Sequence, residues 1–320
     1  MQHTLDLPTG YRLRRDPDIL TLCRSDGSMV ARFSGIGADL NEIRKSAEQD
    51  YQGTIYNHKA PISDAVTDQP CLHIRFFGHF EILCNGEPLG LGRNGNAPAI
   101  LKYLLAHGER PVSREHLIEW LWPESTPKKA RSSLNVAICT LRKLLSDCSA
   151  GLQNCILLEQ GYYRLCPSVR VEKDVEEFDL LYEQGRLLEK TNRMEGAAEY
   201  ERAVELYRGE YLLEHLYEDW TMVERERLSN VYLDMLERLA VYYKESEQLR
   251  ESIRISYRIL EKDRGHENSH LLLTECYALL GSYGRALRQY RLFKGVLKST
   301  HGTEPSVEME KRFEKVLGRL

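Results

Sequence analysis

Five cations, Lys128, Lys129, Arg131, Arg142 and Lys143, fall in a sixteen-residue stretch that contains no acid, within a chain of 320 residues and formal net charge -4. Such a stretch has the composition to hold a polyanion. Interleaved with the cations are Ser132, Asn135, Val136 and Cys139: a hydroxyl, an amide, a small apolar group and a thiol. An amide pairs with adenine, a hydroxyl with several bases, and a small apolar group with the thymine methyl. The chemistry implied is reading of base edges rather than bond making. Lys128, Lys129 and Arg131 oppose the dipole at the start of a helix, a cost that an external phosphate relieves. Arg114, Lys143 and Arg164 complete the candidate phosphate contacts.

These residues need a helix to aim them. Leu134, Ile138, Leu141 and Leu145 recur at the 4-3-4 spacing of one buried stripe, which puts Ser132, Asn135, Val136 and Cys139 on the other side. A short helix ending in Trp120-Leu121-Trp122 comes first and Pro123 stops it, followed by the polar turn Glu124-Ser125-Thr126-Pro127. Helix, turn and basic second helix make a helix-turn-helix, whose second helix enters the major groove. Upstream, LHIRFFG and HFEILCNG read as strands joined at Asn85-Gly86, a hairpin dipeptide. A helix over 97–107 closes at Gly108, and Ser113 caps the next helix with His116 at its third position. Cys155–Glu159 and Tyr162–Leu165 flank Gln160-Gly161, a second hairpin placed where a wing would be.

Charge is unevenly spread. Residues 1–70 hold 8 Lys/Arg and 10 Asp/Glu, residues 71–167 hold 11 and 8, and residues 168–320 hold 25 and 30. Only the middle segment is basic, so only there does composition favour a polyanion. No apolar run reaches the roughly 18 residues a membrane span needs, and the N-terminus has no signal-like apolar core. The expected location is therefore the cytoplasm, with no membrane contact. The eight cysteines include no C-x-x-C pair and no histidine at zinc-finger spacing. They read as reduced thiols, and neither a metal nor a cofactor is expected. Gly90-Leu-Gly92-Arg-Asn-Gly95 matches the dinucleotide fingerprint, but the βαβ unit which that motif requires is missing around it. There is no nucleophile elbow, metal cluster or phosphate loop, so the chain does not read as an enzyme.

The order of strands, three helices and hairpin over residues 71–167 resembles the OmpR-type winged helix. The carrying residues are LGRNGNAPAILKYLLAHGERPVSREHLIEWLWPE, KKARSSLNVAICTLRKLL and QGYYRL. From Val175 onward the pattern is helical almost throughout. GSYGRALRQY repeats EQLRESIRIS at an offset of 34, setting Arg285 against Glu251, Ala286 against Ser252 and Leu287 against Ile253. That is the tetratricopeptide period. GEYLLEHLYEDWTMVERERLSNVYLDMLERL and LGSYGRALRQYRLFKGVLKSTHGTEPSVEMEKRFEKVL resemble the bacterial transcriptional activator domain. Trp220, Glu224, Arg225 and Leu228 carry the first match, and Gly302, Glu304, Pro305 and Ser306 the second.

Together the two parts resemble activators of the antibiotic-regulatory-protein type. The resemblance implies double-stranded promoter DNA as partner, homodimers on direct repeats, and RNA polymerase recruited by contact with the turn Pro123, Glu124, Ser125 and Thr126. The expected architecture is mainly α with small β elements: a small strand-hairpin-helix module over 1–51, a linker over 52–70, a winged helix over 71–167, and a tetratricopeptide-like domain over 168–320. The first seventy residues lie outside the usual pattern. Segment 71–167 is expected to stand by itself as a DNA-binding unit. The rival reading is a helical-repeat adaptor whose winged helix binds protein instead of DNA.

Overall fold

In the computed structural model, the described residues are 11–16, 19–24, 29–34, 43, 45–46, 71–90, 95–108 and 110–318. The chain divides into two compact units, Met1–Asp68 and Gln69–Leu320. In the first, β1 (Tyr11–Asp16), β2 (Ile19–Arg24) and β3 (Met29–Ser34) form an antiparallel meander in chain order. Leu22 and the helical Ile43 are fully buried. Their sequences are YRLRRD, ILTLCR and MVARFS. Most of the remainder of the module expected over 1–51, and all of the linker expected over 52–70, lie outside the described residues.

The second unit opens with β4 (Cys71–Arg75), β5 (Glu81–Cys84) and β6 (Glu87–Pro88), each antiparallel to the one before. Asn85 and Gly86 take φ of 51° and 88°, the left-handed pair that a type I′ hairpin requires. Then come α1 (Asn96–His107), the short β7 (Val112–Ser113), α2 (Arg114–Leu121) and α3 (Pro127–Cys148). A hairpin of β8 (Ile156–Glu159) and β9 (Tyr162–Leu165) follows. Its turn residues Gln160 and Gly161 repeat the positive φ pair, at 50° and 88°. β9 also pairs with β7, so the wing and the start of α2 share one three-stranded sheet. Among the described residues no βαβ unit forms around Gly90 and Gly95: the helix after them leads to a strand of a different, antiparallel sheet.

Helices α4 (Asp174–Leu188), α5 (Arg193–Leu206), α6 (Asp219–Glu245), α7 (Leu249–Lys262), α8 (Glu267–Leu279), α9 (Tyr283–His301) and α10 (Val307–Leu317) make the rest. Neighbours pack in succession as helical hairpins. At the 34-residue offset, the two small residues Ser252 on α7 and Ala286 on α9 are both fully buried. Among the described residues, no helix is long and apolar enough to cross a membrane.

The winged helix and helical array do not part at residue 167. β10 (Arg170–Lys173) pairs in parallel with β4, Arg170 beside Cys71 and Lys173 beside Ile74, so the strand just past the expected boundary completes the first sheet of the winged helix. Asp174 follows at once as the first residue of α4. Its two carboxylate oxygens accept the backbone N–H groups of Phe76 at 2.8 Å and Phe77 at 3.1 Å. Burial pushes its pKa up while these two donors pull it down. Beyond β4 the chain also pairs with residues 209–213: Leu212 N–H donates to the Phe76 carbonyl, and Gly78 N–H to that of Glu210. A Cβ on Gly209 would lie 3.1 Å from the Gly78 Cα, so the close approach requires glycine. Phe77 packs against Phe178 and Tyr207, with centroids 5.0 and 4.8 Å away, and Phe76 stacks on Tyr211. One continuous apolar core therefore runs from Leu134 and Ile138 to Leu236 and Leu239.

A second contact joins α1 and α2 to the start of α6. Tyr103 lies 4.9 Å from both Trp120 and Trp220, and both indole N–H groups donate to Glu218. His107 stacks on Tyr103 at 4.0 Å, and His215 lies 5.9 Å from Trp220. Burial lowers the pKa of both histidines, helped at His215 by the Lys102 charge.

Two outcomes follow from this seam. Replacing Asp174 by Asn keeps one acceptor oxygen but sets an amide NH2 against the other backbone N–H, and should cost about 1–3 kcal/mol in chemical denaturation. A depressed histidine pKa gives stability that is full above the unfolded value, about 6.5, and is lost as pH falls through the lower folded value. Melting temperature should therefore drop on acidification through and below that range, and less so in a His107→Gln, His215→Gln double variant.

Candidate nucleic-acid interface

Helix α3 is built as the sequence predicts. Leu134, Leu141 and Leu145 are fully buried, and so is Ala130; Ile138 is nearly so. On a wheel of 3.6 residues per turn, Lys128, Ser132, Asn135, Val136, Cys139 and Lys143 fall in an arc of about 100° on the opposite side. All six are exposed, Val136 to 64%. A small apolar side chain left in water amid polar neighbours is suited to a thymine-methyl contact. Lys129 and Arg131 are exposed at the flanks of the arc.

The start of α3 is suited to an anion. Thr126 is the N-cap residue but makes no side-chain cap hydrogen bond, the first turn carries no acid, and Pro127 stands at the first position. Pro127 has no N–H, so the unpaired donors of this end are the amides just after it. The positive helix pole, these amides and the ammonium groups of Lys128 and Lys129 coincide at one exposed place.

Arg131 is less free than the sequence implies. The fold brings Glu115 from α2 into its field, and Glu115 also binds the Arg114 guanidinium at 3.2 Å. Its own backbone N–H and then Arg114 hold the Glu115 carboxyl below the usual range. Arg164 is likewise engaged: its guanidinium donates to both Glu159 oxygens across the wing, at 2.9–3.1 Å. Arg114 and Arg164 are half-buried. A phosphate contact by either exchanges an existing ion pair for a new one, whereas Lys128, Lys129 and Lys143 make no ion pair among the described residues.

Lys143 is separated from Lys128 by about 22 Å of helix at 1.5 Å per residue, more than the ~12 Å width of the major groove. The two lysines thus suit opposite backbone walls.

The wing is fixed to α3 by a residue that the sequence shows only as one of the five cations of the acid-free stretch. Arg142 donates to the Ile156 carbonyl through Nε at 3.2 Å and Nη2 at 2.8 Å. The N–H of Arg114 donates to the Gly161 carbonyl at 2.9 Å. Tyr163 is buried beneath, while Tyr162 and Leu158 stay exposed at 47% and 44%. Periodicity could not reveal Arg142, because its partner is a backbone atom of another element. The turn residues Pro123, Glu124 and Thr126 are exposed and Ser125 half-buried. A backbone bond from Ser125 N–H to the Trp122 carbonyl holds the turn, beside the Trp120–Glu218 contact.

Arg142→Met should loosen the wing. Loss of two charge-assisted bonds should cost about 1.5–3 kcal/mol, visible as faster amide exchange in β8 and β9 than in α8.

Comparison with known proteins bears on this arrangement. A family model described as the C-terminal domain of transcriptional regulatory proteins matches residues 92–162, and one described as the bacterial transcriptional activator domain matches residues 173–317. The transcriptional regulatory protein MoaR1 of Mycobacterium tuberculosis is 24% identical over 285 residues, covering 82% of this chain and 85% of that protein. The protein of the same name from Mycobacterium bovis is 30% identical over 129 residues, 40% of this chain and 41% of that one. Mycobacterium tuberculosis EmbR, solved in complex with a low-affinity phosphopeptide, shares the fold with a TM-score of 0.66 at 21% identity. That likeness covers 78% of this chain, which spans 66% of the EmbR chain.

Proposed function

The chain is a transcriptional regulator of the antibiotic-regulatory-protein type, an OmpR-like winged helix followed by a bacterial transcriptional activator domain, and from that premise we propose that it binds promoter DNA through α3 and recruits RNA polymerase. The observation that carries the proposal is the exposed arc of α3, where three exposed lysines, which make no ion pair among the described residues, frame a hydroxyl, an amide, an apolar group and a thiol. Asn135, Ser132, Val136 and Cys139 read bases in the major groove. Lys128 and Lys129, with the amides beside them, bind one backbone wall and Lys143 the other. Arg131, Arg114 and Arg164 add phosphate contacts at the cost of their bonds to glutamates. The protein works in the cytoplasm, and two copies occupy direct repeats.

The helical array is too acidic to add to DNA binding, and its role is to set protomers in order and to offer a partner surface. Polymerase meets the turn Pro123, Glu124, Ser125 and Thr126. That turn is exposed, and the helix before it is braced from behind by Trp120 on Glu218.

Binding to promoter fragments, followed against salt, tests the DNA reading. Asn135→Ala should cost about 1–3 kcal/mol on the true site and little on random DNA. Lys128→Ala or Lys129→Ala should weaken both alike and lower the salt slope by about 1. Equal losses at Asn135 on both DNAs would remove its base-reading role. Absence of salt-dependent binding would favour the protein adaptor instead. For the turn, a Glu124→Ala, Ser125→Ala, Thr126→Ala variant should bind DNA like the parent yet lose activation in transcription with purified polymerase; retained activation would move the polymerase contact elsewhere.

A further inference from the structure

On the outer face of the first sheet, away from α3, three side chains of different donor chemistry converge. Cys71 and His73 are two apart on β4, so they share a face. The parallel register sets Glu172 of β10 directly beside His73. Cys71 Sγ, a His73 ring nitrogen and a Glu172 carboxylate oxygen all lie within 4.8 Å of one another. His73 Nδ1 is already 2.8 Å from Glu172 Oε2. The intervening Leu72 and Ile74 point into the core, so the backbone that carries the three groups is fixed.

We propose that Cys71, His73 and Glu172 form a binding site for a divalent zinc-class cation, clipping β10 to β4. A thiolate, an imidazole and a carboxylate make a mixed set that suits zinc, whereas magnesium and calcium take oxygen ligands. Three protein ligands leave one tetrahedral position for water or an outside donor. Structural zinc sites close all four positions, so this one is exchangeable rather than needed for folding. His73 and Glu172 are each more than a third exposed, which gives the ion a way in. On binding, the Cys71 thiol releases its proton to solvent, and His73 changes from the tautomer whose Nδ1–H donates to Glu172 to the one protonated at Nε2, which frees the Nδ1 lone pair for the ion. Thiolate and carboxylate balance the two positive charges. Arg170 holds the other carboxylate oxygen, Oε1, at 2.5 Å, and from there it orients Glu172 as an outer partner. The site ties together strands roughly 100 residues apart in sequence, at the seam where the helical array departs, and a bound ion therefore stabilises that seam.

The test uses the reduced full chain and cobalt(II) as a spectroscopic probe. A thiolate-to-cobalt charge-transfer band should grow and saturate at one equivalent, and zinc chloride should bleach it. Zinc should also raise the melting temperature. Cys71→Ser should abolish the band and the thermal shift. His73→Gln and Glu172→Gln, both surface changes, should weaken cobalt binding and reduce the shift, and they carry the test if Cys71→Ser does not fold. Cys139→Ser, exposed on α3, should leave both intact. No band in the parent chain, a band that survives Cys71→Ser, undiminished binding in both the His73 and Glu172 variants, or loss of the band in Cys139→Ser would each overturn the site.

Discussion

Everything between the wing and the helical array hangs on the two hydrogen bonds that Asp174 accepts. Buried backbone N–H groups must be satisfied, and at the end of β4 those of Phe76 and Phe77 have left the sheet ladder. The Asp174 carboxylate takes both. As the first residue of α4, it also sets a negative charge at the positive helix pole. One side chain thus ends a strand, starts a helix and decides the angle at which the chain leaves the winged helix. The register of β10, the wedge of Phe77 between Phe178 and Tyr207, and the approach of Gly209 to Gly78 are all consistent with that one geometry.

With the seam fixed, the two domains act on each other through packing. Tyr103, Trp120 and Trp220 make one aromatic cluster, and Glu218 holds both indoles. Arg225, on α6, donates to the carbonyls of Tyr211, His215 and Leu216, which pins the connecting segment against the same place. The helix before the turn therefore rests on the helical domain, while α3 holds the wing through Arg142. Side chains in direct contact thus run from the array to the helix before the turn. By the same reasoning a fragment ended at residue 167 is a poor surrogate for the winged helix. It would lack β10 and Asp174, and would leave the apolar faces of Phe77 and Trp120 in water.

Much of this was legible in advance, because it depends on local rules. Alternation and hairpin dipeptides placed β4, β5, β8 and β9, and the I′ turns at Asn85-Gly86 and Gln160-Gly161 have the positive φ pair those dipeptides favour. The 4-3-4 leucine stripe put Asn135 and Val136 outward, where the structure leaves them. Ser113 caps α2 through its hydroxyl as read. The 34-residue offset sets Ser252 against Ala286, and both are fully buried.

What the sequence by itself determined is therefore the set of elements, the apolar face of each, and the candidate reading face of α3. Period and turn chemistry act within a few residues and need no partner. Only the tertiary structure decided which charges are free. Glu115 lies on a different helix from Arg131, and Glu159 is five residues from Arg164 along the chain but beside it across the hairpin. Pairing of that kind depends on register and crossing angle, and both are properties of the assembled core. The same holds for β10, a strand of four residues too short to announce itself, and for Trp120 with Trp220, a hundred residues apart and joined by one carboxylate. Their meeting required the chain to return, and the hydrogen-bonding demand at the end of β4 brought it back.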